Sequence, residues 1–175
     1  MVTINTVLGP ISTADLGFTL MHEHLLVASP GIYRDYPELL GESLIDRVVE
    51  RLKEAKAGGV DTILDATTLD LGRNVELMAE ASRRSGVNII ACTGWWLDIP
   101  RFLLGVSPDQ LAEAFIREIE VGIAGTDIKA GVLKSASDIE GVIPEAAVML
   151  KAVAIAHRQT GVPIMLHSYA PGQVA

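Results

Sequence analysis

The chain has 175 residues, 49% apolar and 21% charged, with a formal net charge of −8. This is the make-up of one globular domain, and it argues against disorder, a nucleic-acid backbone or an anionic membrane surface. No apolar run nears the roughly 18 residues of a membrane span. The N-terminus, MVTINTVLGP, lacks the basic and apolar regions of a signal peptide. A single cysteine, Cys92, excludes an internal disulfide and fits a reducing cytoplasm.

Residues 1–16 read as a small β-hairpin with Gly9-Pro10 at its turn. The first strand covers 17–25, GFTLMHEHL, and an irregular stretch follows over 27–42. The helix at 43–57 carries Leu44, Val48, Val49, Leu52 and Ala55 at helical spacing, with Ser43 as its N-cap. Strand 59–67, helix 73–85 and strand 86–94 come next, with Cys92 as a small core residue of the last. After a second irregular stretch, 94–107, Ser107-Pro108 opens a helix over 108–123. A strand run over 127–137, a helix over 144–160 and a strand over 161–169 complete the order. Gly59, Gly86 and Gly161 fall where a left-handed helix stop belongs.

Apolar strands separated by helices predict a parallel sheet covered by helices. No linker or low-complexity tract marks a second domain. Five strand–helix steps suit a small open sheet, or the first part of an eight-stranded barrel of roughly 250 residues.

Polar residues interrupt the strands at one end. His22 and His24 flank Glu23, and strand alternation puts both imidazoles on one face with Glu23 turned away. Two imidazoles so placed are able to share a metal ion of the zinc type, although two partly exposed histidines near a loop give the same pattern. Lys134 and His167 interrupt two later strands at the same end. Asp65 joins that rim or serves as a loop carboxylate. His157, near a helix C-terminus, reads as a surface residue facing the helix dipole. A lysine beside a metal cluster must be neutral or modified. Burial and nearby cations lower its pKa, and a neutral amine combines with carbon dioxide to give a carbamate.

GFTLMHEHL, AGVLKSASD and PIMLHS, in this order, resemble the phosphotriesterase-like branch of the amidohydrolase superfamily, over essentially the whole chain. The resemblance implies the N-terminal part of a (β/α)8 TIM barrel, about five βα units after the hairpin. It also implies a two-metal centre at the C-terminal rim, of zinc or alternatively cobalt, manganese or iron. His22 and His24 would bind the buried metal, carboxylated Lys134 would bridge both, and His167 would bind the exposed one. A bridging hydroxide would then attack a lactone, carboxylic ester or phosphotriester. Trp95 and Trp96, by position, resemble an aromatic wall around the substrate, with one of the pair facing the rim. The same tryptophans would also serve as loop packing.

The family pattern needs a further histidine from a sixth strand and an aspartate from an eighth, and neither position lies in these 175 residues. The expectation is therefore one partial domain, inactive alone, that needs a C-terminal complement or self-associates. A homodimer is expected of the full-length protein. The competing reading is a non-catalytic or degenerate α/β domain whose histidines are structural, and a third is a one-metal hydrolase.

Overall fold

The computed structural model describes residues 2–97, 100–103 and 105–168. Met1 and Tyr169, at the outer limits of the expected hairpin and last strand, lie outside the described residues. Two strands, β1 (Thr3–Thr6) and β2 (Gly9–Ser12), form an antiparallel hairpin. Five strands then make one wholly parallel sheet in chain order: β3 (Thr19–Glu23), β4 (Thr62–Asp65), β5 (Asn88–Gly94), β6 (Val132–Ser137) and β7 (Ile164–Ser168). The helices between them are α1 (Ile32–Asp35), α2 (Leu44–Ala57), α3 (Val75–Ser85), α4 (Pro108–Glu120) and α5 (Pro144–Thr160). This is the α/β half-barrel expected of a partial TIM barrel, with β3 and β7 as its edges.

Side-chain alternation sorts the apolar residues into two clusters. Ile63, Ile89, Ala91 and Leu133 point outward and pack under the helices with Val49, Leu52, Met78, Phe115 and Met149. Leu64, Ile90 and Val132 point inward and meet Ile4, Leu16 and Met165. Burying one such aliphatic side chain stabilises the fold by about 1.5–3 kcal/mol. The hairpin closes the N-terminal end of the sheet. Val7 N–H donates to Ile89 O (2.8 Å), and Asn5 Nδ2 donates to Ala130 O (3.2 Å). A Cβ on Gly131 would lie 2.5 Å from Asn5 O, so only glycine admits this approach. The opposite, C-terminal rim is left for the polar residues.

Three local expectations change. The hairpin turn is Val7-Leu8, not Gly9-Pro10. The Thr6 hydroxyl holds the turn by donating to Gly9 O (2.7 Å) and accepting from Leu8 N–H (3.2 Å). Pro10 lies opposite Asn5 in a two-stranded ribbon, an edge position that tolerates a missing N–H. Ser43 does not cap α2: it is left-handed (φ 52°) and its side chain makes no cap hydrogen bond. Instead the Arg47 guanidinium donates to Leu40 O (2.7 Å) and to Glu42 O ahead of the helix. The strand expected over 127–137 begins only at Val132, because Ala130 N–H is drawn to Glu118 O. Ser107 does cap α4, in a reciprocal box with Gln110. Gly59, Gly86 and Gly161 all have positive φ.

Candidate functional site

Strict alternation from Leu20 would send His22 to the helix side. Leu20 pairs with Ile63, but Glu23 pairs with Asp65, so one extra residue is bulged into β3. The bulge resets the strand. Glu23 borders the cleft toward α2, while His22 turns inward to Lys134. The two imidazole centroids lie 5.6 Å apart.

Lys134 comes from β6, in register with Gly94 on β5 and Met165 on β7. It is only 1% exposed, and its Nζ lies 3.1 Å from His22 Nε2. Burial lowers its pKa. His167, two residues after inward Met165, brings its ring within 6.3 Å of the His22 ring. The His22 pKa is lowered first by burial, then by the charge of Lys134 and the neighbouring imidazoles. Among the described residues, no three His, Cys, Asp or Glu side chains by themselves form a metal-holding group. The constellation is three imidazoles gathered at a buried amine.

A supporting layer lies behind His24. Asp65 is fully buried at the end of β4. Its Oδ2 accepts from Leu25 N–H (2.9 Å) and its Oδ1 from Thr67 N–H (2.8 Å). Burial raises the Asp65 pKa, while hydrogen bonds from the Thr67 side chain and the two backbone N–H groups oppose the rise. The Thr67 hydroxyl lies 2.9 Å from His24 Nδ1. The His24 pKa is lowered by burial, against the pull of Asp65. Asp65, the last residue of β4, thus ties the backbone after β3 to the backbone after β4. No local sequence pattern marks Thr67 beyond its place at the end of the strand expected over 59–67.

The two tryptophans separate. Trp95 is buried in the helix-side core, as loop packing would place it. Trp96 stands edge-on to His167 with centroids 6.2 Å apart. Gly94 makes this possible: its φ is +111°, and a Cβ there would lie 2.0 Å from Lys134 O. Trp95 N–H donates to that same oxygen (3.1 Å). Beneath the loop, Arg73 bridges Cys92 O (2.8 Å) and the Glu118 carboxylate (2.6 Å), an ion pair almost wholly inside the protein. Cys92 faces inward in a fully buried setting that pushes its thiol up to about 12. His157, at the end of α5, meets Val162 O and stays away from the rim.

An open cleft of about 580 Å³ lies between β3 and α2. His24 reaches its margin, but His22, Lys134 and His167 do not line it. It is an apolar groove beside an open sheet edge, and the reactive groups sit on the inner face. No helix among the described residues is long and apolar enough to cross a membrane.

The phosphotriesterase homology protein of Mycobacterium tuberculosis is 42% identical over 97% of this chain and 56% of its own length. The aryldialkylphosphatase of Saccharolobus solfataricus is 40% identical over 91% of this chain and 52% of its own. The N-acetyltaurine hydrolase of Rattus norvegicus is 29% identical over 94% and 56%. The chain thus spans about half the length of the curated relatives it matches. The model of the phosphotriesterase family matches residues 2–174, and the chain belongs to that family.

Proposed function

We propose that this chain carries the first half of a two-metal hydrolase centre for ester-type bonds: lactones, carboxylic esters or phosphotriesters. The observation that carries the reading is the gathering of His22, His24 and His167 around buried Lys134. The donor set fits metal ions. Imidazole suits zinc, with cobalt, manganese or iron as alternatives. His24 is engaged through Nδ1, which leaves Nε2 for the site. A buried amine facing imidazoles is a poor place for a cation, and a favourable one for a carbamate. Attack of neutral Nζ on carbon dioxide forms an N–C bond and releases one proton, leaving an anionic oxygen pair.

His22 and His24 would hold one ion, His167 the other, and carboxylated Lys134 both. Metal held there would supply an acidified water and polarise the bond under attack. Trp96, edge-on to His167, would form an apolar wall against the leaving group. Relatives support ester chemistry ahead of amide chemistry: the aryldialkylphosphatase is 40% identical, the N-acetyltaurine hydrolase 29%.

The test is metal content and hydrolysis in the full-length protein. Two zinc ions per chain, with aryl ester or lactone turnover lost in His22→Ala, is the expected result. Protein without bound metal, or His22→Ala with unchanged turnover, would point to the competing reading of a non-catalytic domain.

A further inference from the structure

We infer that Thr67 is a positioning residue that fixes the tautomer and direction of His24, with Asp65 anchoring the backbone that carries both. The inference rests on the metal-centre reading above. It starts from a chain of three groups at the ends of adjacent strands. Both Asp65 oxygens already accept backbone N–H groups, from Leu25 and from Thr67. The carboxylate is thereby anchored to the backbone beside the Thr67 hydroxyl, which lies 2.9 Å from His24 Nδ1. On the metal-centre reading Nε2 needs its lone pair for the ion, so Nδ1 carries the proton and the Thr67 hydroxyl accepts it.

Two further observations make this a built device. Thr67 and Asp65 are both fully buried, whereas His24 itself is exposed in this chain, so the ring's direction is set from below. The same carboxylate joins the loop after β3, through Leu25, to the loop after β4, through Thr67. Ala66 N–H adds a bond to Glu23 O (2.8 Å), beside the bulge that turns His22 inward. The backbone carrying His24 and the hydroxyl steering it are thus held by one group. Hydrogen bonds of this kind behind a histidine ligand orient the ring and raise its basicity.

The experiment has two arms on the full-length protein. Long-range ¹H–¹⁵N correlation at pH 8 in chelator reads the His24 tautomer without metal. The wild type should show Nδ1–H, and Thr67→Val a mixture. Competition with a chromophoric chelator then reads zinc affinity. Thr67→Val should lose about 10–100-fold, and Thr67→Ser, which keeps the hydroxyl, should restore most of it. Nε2–H in the wild type, or equal zinc affinity in wild type and Thr67→Val, would overturn the inference. If wild type binds no zinc, the metal-centre reading fails instead, and the tautomer arm still decides Thr67. If Thr67→Val does not fold, the wild-type tautomer and Thr67→Ser carry the test.

Discussion

Lys134 Nζ lies 3.1 Å from His22 Nε2, and the lysine that carries it is 1% exposed. A long, ionisable side chain is thereby held inside the half-barrel against an imidazole. Folding alone gains little from this, because a buried cation without an anion costs solvation. Lys134→Met removes the amine and keeps the volume. In chelator, the variant should be as stable as wild type or more so, by up to about 4 kcal/mol. Its zinc affinity should fall. Urea unfolding and metal analysis check the two halves. A large loss of metal-free stability would make Lys134 a structural residue.

His22 and His24 contribute a loss of stability as pH falls. Their folded pKa values lie below 6.5, burial being the first cause for each. As pH falls through 6.5, the unfolded chain takes up protons before the folded one, so stability declines from there downward. Urea midpoints in chelator should therefore drop between pH 7.5 and pH 5. The double variant His22→Gln/His24→Gln should drop less. Parallel curves for variant and wild type would contradict this.

Arg73 and Glu118 form the principal ion pair inside the protein, with side chains 3% and 19% exposed. Arg73 also holds Cys92 O, two residues before Gly94. Arg73→Ala should cost about 3–5 kcal/mol, since it strands the Glu118 charge. Arg73→Met combined with Glu118→Leu should recover most of that. Chemical denaturation of the single and double variants gives the comparison.

Gly94 is the backbone condition for Trp96. Gly94→Ala places a Cβ 2.0 Å from Lys134 O in a left-handed conformation. The backbone strain alone should cost about 1–3 kcal/mol. Tryptophan fluorescence should shift as the loop moves off His167. An unchanged spectrum at wild-type stability would refute the close approach.

The two helix starts differ in a measurable way. Ser107→Ala removes a capping box and should cost about 1 kcal/mol. Ser43→Gly removes no cap and relieves a left-handed residue, so stability should hold or rise by a few tenths of a kcal/mol. Thermal melts of both variants separate the cases.

Much of this was legible in the sequence, because the strongest signals were periodic. The helix at 43–57 differs from α2 by one residue at its start, and helices 73–85 and 144–160 match α3 and α5 closely. Lys134 and His167 stood out as polar residues in apolar strands. What escaped depended on geometry without period. The bulge between Leu20 and Glu23 is an insertion that alternation does not register. Ser43 is a good cap by residue type, yet its left-handed backbone turns the hydroxyl away. Trp95 and Trp96 are identical letters, and only the turn at Gly94 sends one to the core and the other to the rim. Thr67 gains its role from His24, 43 residues earlier, a pairing that no local pattern shows.

The most direct test of the metal-centre reading is ¹³C NMR of the full-length, zinc-loaded protein prepared in ¹³C-bicarbonate. It should show one carbamate resonance per chain that is lost on chelation and absent from Lys134→Met. A zinc-loaded, hydrolytically active protein without that resonance, or one whose resonance survives in Lys134→Met, would contradict the assignment of Lys134 as the bridge.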